Sequence, residues 1–474
     1  MNTPMWIAGQ ARTADTWAPV HDPYTGREVG RVPVATKAQI VEAIELMTRG
    51  GPSKLTRNQR SVILRRVAEL IRADADTLAR LDSSESGLCL KDTRHEIARS
   101  IDVLNVAADA TTFDDSSVYP GAIGACGKNR RIFTQREPLG LAAALTPFNH
   151  PLNQVVHKIA PAIAAGTPMI VKPSEKTPLT ALRLAEICYE AGLPPEMLSV
   201  VTGNPGEIAE VFTTHPAVAL INFTGSPAVG KRLVQMAGYR KMVVELGGND
   251  PLIVMEDADV EKAAEIAVGG AYGNSGQRCT AVKRILVQRG IADAFVAALA
   301  RRTQALVCGN PMDERTDIGT VIDEAAAIAI ERRVEAALAA GATLVTGQPR
   351  QGALFHPTVL DHVPADCELV AEETFGPVAP VIRFDDIDQA IALSNGTRYG
   401  LSSGVCTDRL DWVTRFVTEL KVGSLNVWEA PGYRSEASPF GGVKDSGLGC
   451  KEGVAEAIKL YSTIKTFSLP WPNP

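Results

Sequence analysis

Between residues 139 and 245 apolar strand-like runs alternate with helix-length amphipathic segments, and this alternation leaves few folds open. The runs fall at 139–145, 169–172, 198–201, 218–223 and 242–245, with helical stretches at 154–165, 179–191, 207–212 and 228–237 between them. Strands joined through helices lie parallel and are covered on both faces, so they read as unbroken apolar runs. Ligands of such a sheet sit beyond the carboxyl ends of its strands. Asn149, Lys172, Gly225 and Glu245 fall at those ends.

A second α/β unit is expected over 251–437, with strands at 252–254, 284–288, 378–383 and 424–427 and helices near 260–269, 291–305 and 324–339. The first thirty-five residues are turn-rich and fit a short hairpin followed by a helix. Apolar residues at helical spacing predict one helix over 56–81 and another from 94 to about 110. Arg99 lies on the second, where a solvated surface arginine is the ordinary reading. Residues 117–134 are polar and glycine-rich, an exposed hairpin suited to pairing with another subunit. The tail from 439 is a glycine-rich loop, a helix and a last strand over 461–469. A length of 474 residues suggests about three domains.

A net charge of −6 lends no electrostatic support to a nucleic-acid role. No apolar run approaches the roughly eighteen residues needed to span a membrane. The first residues lack a basic region followed by an apolar block, so a cytoplasmic protein is expected. Cysteines stand at 89, 126, 188, 279, 308, 367, 406 and 450, none paired as C-x-x-C and none at zinc-like spacing with histidine. They read as reduced thiols, with no metal site.

The fingerprint G-x-G-x-x-G is absent, so a standard dinucleotide phosphate loop is not supported. Residues 225–232 match G-x-x-x-x-G-K, but Arg232 stands where a P-loop needs Ser or Thr to hold Mg²⁺, and Pro227 stiffens the loop. What remains is a strand ending in Thr224-Gly225-Ser226 before a helix, whose free N–H groups and hydroxyl suit an anion. Lys172 and Glu175 can hold ribose hydroxyls, and the carboxylate would repel a 2′-phosphate, favouring NAD over NADP. A solvated loop pair is the other reading of those two residues.

Cys279 follows a glycine-flanked, flexible run, Gly273-Asn274-Ser275-Gly276-Gln277-Arg278. A thiol on such a connection can be a presented nucleophile, although a buried core cysteine is the more ordinary reading. Glu245 sits between apolar residues, where a raised pKa would suit a general base; a strand-end glutamate is also often structural. Asn149 is framed by Pro147 and Pro151 and can donate to an oxyanion or simply form a turn.

P-F-N-H-P, V-K-P-S-E, F-T-G-S-x-x-x-G, E-L-G-G, G-Q-R-C, E-E-T-F-G-P-V and S-P-F-G-G-x-K-x-S-G together resemble the aldehyde dehydrogenase superfamily, in its order and over nearly the whole chain. The resemblance implies an NAD-binding domain (1–116 and 135–247), a catalytic domain (248–437) and a bridging β element (117–134 and 438–474). It also implies a homodimer or homotetramer. By matching motifs, Cys279 resembles the nucleophile and Glu245 the general base. Asn149, with the Cys279 backbone N–H, resembles the oxyanion hole. Lys172 and Glu175 resemble the adenosine-ribose contacts, and Ser226, after Gly225, a pyrophosphate contact. Glu373 resembles the nicotinamide-ribose ligand, and Phe375 the wall beside the nicotinamide. Two departures stand out: Phe148 replaces the family's frequent Trp, and His150 replaces an apolar residue.

Arg278 and His150 each adjoin a motif residue. An unpaired guanidinium beside a nucleophile suits an anionic substrate, which it can grip with a bidentate fork. Arg278 is also expected to lower the pKa of Cys279. G-Q-R-C-T-A-V-K-R resembles non-phosphorylating glyceraldehyde-3-phosphate dehydrogenases; N-H-P with R-S-E-A-S-P-F-G-G-V-K-D-S-G-L-G resembles phosphonoacetaldehyde dehydrogenases. On that resemblance Arg99 and Arg434 complete an anion cage with His150 and Arg278. The expected activity is NAD-dependent oxidation of phosphonoacetaldehyde to phosphonoacetate through a thioester that water cleaves. Phosphonoformaldehyde, glyceraldehyde 3-phosphate, lactaldehyde and succinate semialdehyde remain alternatives, as does a non-catalytic protein on the same fold.

Overall fold

Two seven-stranded sheets and a three-stranded sheet organise the chain, described in a computed structural model at residues 2–51, 53–113, 115–449 and 452–472. Cys450, expected as a reduced thiol, lies outside these residues; the other seven cysteines are free. The first sheet runs Lys241–Leu246, Leu220–Gly225, Ala142–Leu145, Met169–Lys172, Leu198–Val200, Met5–Ile7, Gln10–Arg12. Its first five strands are parallel, as alternation requires; the N-terminal pair joins antiparallel at one edge. The first residues therefore form two hairpins rather than one, the second being Trp17–His21 with Glu28–Pro33.

The second sheet runs Thr343–Thr346, Thr358–Asp361, Val378–Phe384, Arg284–Gln288, Pro251–Val254, Ser402–Cys406, Ser424–Val427. All pairs are parallel except the first. Three of these strands are absent from the sequence pattern. Ser402–Cys406 shows why: it is Ser-Ser-Gly-Val-Cys, almost without apolar signal, yet buried along its length. Its small residues are required, since a Cβ on Gly404 would fall 2.5 Å from the Glu429 carbonyl oxygen. The helix expected over 56–81 is two helices, Arg57–Ala73 and Ala75–Ser86, broken at Asp74, whose φ −104° and ψ 16° leave the helical range. The second expected helix is longer, Leu90–Thr112.

The third sheet pairs Ser462–Pro470 with Arg130–Pro138 over nine residues, and Arg130–Pro138 with Val118–Pro120, all antiparallel. The exposed hairpin thus extends past the expected 134, to Pro138. Among the described residues no helix is long and apolar enough to cross a membrane. The carboxyl ends of the first sheet's strands face the loop that carries Cys279, and the candidate residues gather there.

Candidate active site

The helix Val260–Tyr272 runs into a tight turn, Gly273–Gly276, in which Asn274 (φ 62°) and Ser275 (φ 52°) are left-handed. Such conformations cost about 1–3 kcal/mol each and persist only where neighbours enforce them. Here the Asn274 N–H donates to Asp92 Oδ2 at 2.9 Å, and its side-chain amide donates to the Asn149 carbonyl at 2.8 Å. Gln277 Oε1 accepts from the Ile322 N–H at 2.9 Å. A Cβ on Gly276 would fall 2.2 Å from the Gly376 carbonyl oxygen. The run expected to be flexible is therefore buried and pinned from three sides.

Asn149, Glu245 and Cys279 line one inner cavity of about 60 Å³, with Thr224 and Phe440. Asn149 Nδ2 donates one proton to the Gln277 carbonyl at 2.8 Å, leaving its second N–H uncommitted. The Cys279 backbone N–H donates to no described residue. Burial pushes the Cys279 thiol up to about 11, and Lys283 is the cation that most opposes this. The net lowering expected beside Arg278 is not met, because burial outweighs the cations around the thiol. Arg278 instead turns its Nη2 to the carbonyls of Gly269 (3.0 Å) and Gly270 (2.7 Å).

Three guanidinium groups close the cavity and open on a vestibule of about 650 Å³. Arg99 donates from Nε to Glu436 Oε1 at 2.7 Å, and its Nη2 is buried without a partner. Arg278 Nε is likewise buried without a partner. Arg434 lies 4.0 Å from the centroid of the Phe440 ring.

His150 is not a fourth cation. Burial pulls its pKa down to about 3, and the positive charges of Arg99 and Arg278 add to the effect. Its Nδ1 lies 3.0 Å from Glu96 Oε2. Glu96 Oε1 accepts the N–H groups of Leu152 and Asn153, both at 2.8 Å, where a helix begins and favours negative charge. Burial raises Glu96 to about 7. Asp82 beside it, fully buried, is raised well above the ordinary carboxylate range by burial and by the neighbouring Glu96.

Lys172 and Gly225 end their strands as expected, with Glu175 and Ser226 just beyond. Lys172 Nζ pairs with Glu175 Oε2 at 2.8 Å; the lysine is buried and the carboxylate more than half exposed. Ser226 caps the helix Pro227–Ala237, with its Oγ accepting from the Val229 N–H at 3.4 Å. Close packing admits only glycine at two positions here. A Cβ on Gly225 would meet the Phe223 ring at 2.5 Å, and one on Gly247 would meet Glu373 Oε2 at 2.0 Å. Phe148 meets Phe375 edge-on at 5.9 Å. A lysine–carboxylate pair at one strand end and a capped helix N-terminus at another are groups that fit a dinucleotide.

A profile described as the aldehyde dehydrogenase family matches residues 6–467. The chain belongs to that family. As an aldehyde dehydrogenase it is an oxidoreductase that uses NAD(P). It is 37 % identical to a 3-sulfolactaldehyde dehydrogenase of Priestia aryabhattai over 96 % of this chain and 95 % of that one. It is 35 % identical to a sulfoacetaldehyde dehydrogenase of Neptuniibacter caesariensis, covering 94 % and 98 %. Among solved structures, the NADP-dependent glyceraldehyde-3-phosphate dehydrogenase of Bacillus halodurans C-125, complexed with NADP, superposes with a TM-score of 0.97 at 32 % identity, covering 100 % of both chains.

Three features of this aldehyde dehydrogenase escape the sequence reasoning. Lys283 is buried under the Cys279 loop. Glu96 and Asp82 back His150. Lys158 Nζ pairs with Glu452 Oε1 at 2.5 Å beside the same cavity, where Asn222 Nδ2 also donates to Glu452 at 3.0 Å. A signal existed for Lys283: Lys283-Arg284 interrupts the apolar run 281–287, and charges inside a buried strand must find partners.

Proposed function

We propose that this aldehyde dehydrogenase oxidises a short aldehyde bearing a terminal oxyanion, with phosphonoacetaldehyde to phosphonoacetate as the first candidate. One observation carries the proposal: Arg99, Arg278 and Arg434 all line the small cavity beside Cys279, and Arg99 Nη2 and Arg278 Nε are buried there without partners. Buried cationic donors without partners cost several kcal/mol unless a ligand meets them. Relatives named for sulfonate aldehydes and a neighbour named for a phosphate aldehyde support the same class.

In this reading the Cys279 thiolate attacks the aldehyde carbon. Asn149 Nδ2–H and the Cys279 N–H accommodate the resulting oxyanion. NAD(P), when bound, supplies the hydride acceptor, leaving a thioester on Cys279. Lys172, Glu175, Gly225 and Ser226 hold the adenosine and pyrophosphate half, with NAD preferred through Glu175. Glu373 and Phe375 hold the nicotinamide half. Glu245 takes a proton from water, whose oxygen attacks the thioester, and the acid leaves. Residues 1–116 and 135–247 would serve as the nucleotide domain and 248–437 as the catalytic domain.

A second substrate reading rests on His150. In this reading Nδ1 gives its proton to Glu96, 3.0 Å away, which leaves Nε2 of this cavity-lining histidine as an acceptor. It would favour a substrate that brings a hydroxyl, such as 3-sulfolactaldehyde, over sulfoacetaldehyde. The deciding experiment is kcat/KM over phosphonoacetaldehyde, 3-sulfolactaldehyde, sulfoacetaldehyde, glyceraldehyde 3-phosphate, succinate semialdehyde and propanal. Propanal performing as well as the anionic aldehydes would overturn the proposal.

The bridging sheet, within 117–134 and 438–474, would join copies into a homodimer or homotetramer. Successive side chains of Ser462–Pro470 alternate between faces, and both faces are apolar and exposed: Ile464 on one, Phe467 and Leu469 on the other. A strand apolar on both faces needs a cover, and a second copy provides one. Ile464→Lys with Phe467→Lys should shift the sedimentation coefficient to that of a smaller species; an unchanged value would sink the idea.

A further inference from the structure

Lys283 makes an unusual set of contacts. Its Nζ lies 2.6 Å from the Arg278 carbonyl oxygen, 2.8 Å from that of Cys279, 2.9 Å from that of Gly248 and 2.9 Å from Glu373 Oε1. One ammonium with three protons thus faces four acceptors, in a side chain 2 % exposed. These acceptors belong to the Cys279 loop, to the turn after Glu245 and to the loop that carries Glu373.

The contact with Arg278 has a directional consequence. No described peptide bond is cis. In a trans unit the C=O and the following N–H point to opposite sides. Lys283 holds the carbonyl of the Arg278–Cys279 unit, so the N–H of the same unit, that of Cys279, points away from the ammonium. The Ala281 N–H adds a second donor to the Arg278 oxygen at 3.2 Å. Donors on a carbonyl draw electron density toward its oxygen, which makes the amide N–H a better donor in turn. A charged donor does this more strongly than a neutral one.

We propose that Lys283 is a positioning residue of the oxyanion site: it orients and polarises the Arg278–Cys279 peptide so that the Cys279 N–H meets the oxygen of the attacked carbonyl. The inference rests on the proposed role of that N–H, shared with Asn149. Lys283 acts through the peptide and touches no substrate atom. Its pairing with Glu373 fixes that peptide relative to the expected nicotinamide ribose. The site that stabilises the oxyanion and the site that holds the hydride acceptor are then set by one side chain.

The test is the single-turnover rate of NADH formation at saturating aldehyde and cofactor, in wild type, Lys283→Met, Lys283→Arg and Asn149→Ala. Lys283 also opposes the burial that raises the thiol, so thiolate content is measured separately, from the pH dependence of Cys279 alkylation by iodoacetamide. The rate per thiolate should fall roughly tenfold to hundredfold in Lys283→Met and recover at least partly in Lys283→Arg. Should Lys283→Met not fold, Lys283→Gln serves with the same readout. A rate per thiolate equal to wild type in the uncharged variant overturns the role of Lys283, provided Asn149→Ala is slow. A normal rate in Asn149→Ala overturns the oxyanion reading itself, and this inference with it.

Discussion

Arg434 lies face-on to Phe440, 4.0 Å from the ring centroid, and makes no hydrogen bond or ion pair among the described residues. The ring face holds the cation, worth about 0.5–2 kcal/mol, without using any of its protons. Arg434 is therefore the arginine of the site whose donors are least committed. Arg434→Met keeps the packing on Phe440 and removes the charge. Its kcat/KM for an anionic aldehyde should fall roughly tenfold to hundredfold, with propanal unchanged within about twofold. Equal losses on both aldehydes would remove Arg434 from the anion site. Arg278→Met is a blunter probe, because Arg278 also ties the Gly269 and Gly270 carbonyls next to the Cys279 loop.

The roles proposed for Cys279 and Glu245 separate in time. Cys279→Ala should lose oxidation altogether. Glu245→Gln should still form the thioester, giving one equivalent of NADH per site in a rapid burst, followed by turnover slowed roughly 10²–10⁴-fold. Quenched-flow detection of NADH reads both phases. A Glu245→Gln variant with neither burst nor turnover would place the carboxylate before hydride transfer rather than after it.

In the proposed cofactor site, preference for NAD would rest on the exposed carboxylate of Glu175. Its pairing with Lys172 at 2.8 Å holds its pKa down against burial, so it is charged at neutral pH and opposes a 2′-phosphate. Glu175→Ser should raise the ratio of kcat/KM for NADP to that for NAD by at least about tenfold. Lys172→Met should weaken both cofactors instead. An unchanged ratio in Glu175→Ser would mean that another group excludes the 2′-phosphate.

The parallel core and its strand ends are legible because they rest on local signals. An apolar run of four or five residues, a helix and another such run suffice to place Lys172, Gly225 and Glu245 on one edge. The cysteine loop is different. Gly273-Asn274-Ser275-Gly276 looks flexible in one dimension, and only Asp92, Asn149 and Ile322, distant in sequence, make it rigid. The same holds for charge. His150 reads as a member of an anion cage, but its burial, three arginines and the opposing Asp92 together decide its protonation, and no spacing rule reports that sum. Arg278 adjoins Cys279 in the chain, yet Lys283, four residues on, opposes the burial of the thiol most.

His150 also makes a prediction about acid. In the folded protein its pKa is about 3; in the unfolded chain it returns to about 6.5. The folded state therefore keeps His150 neutral while the unfolded state binds a proton as pH falls below 6.5. The stability linked to His150 is present above that pH and is lost as pH falls toward 3. Glu96 has the opposite sign. Its folded pKa of about 7 lies above the ordinary carboxylate value, so its contribution is present below about 4.5 and lost as pH rises through 7. Comparing wild type with His150→Gln, whose side-chain amide can replace the donor to Glu96, reads the histidine. Urea unfolding at pH 7.5, 6.0 and 5.0 should show wild type losing stability relative to His150→Gln, at a slope approaching about 1.4 kcal/mol per pH unit below 6. Parallel curves would mean that His150 titrates in the fold as it does in the unfolded chain, and wild type gaining stability as pH falls would mean that it is held protonated as a fourth positive charge.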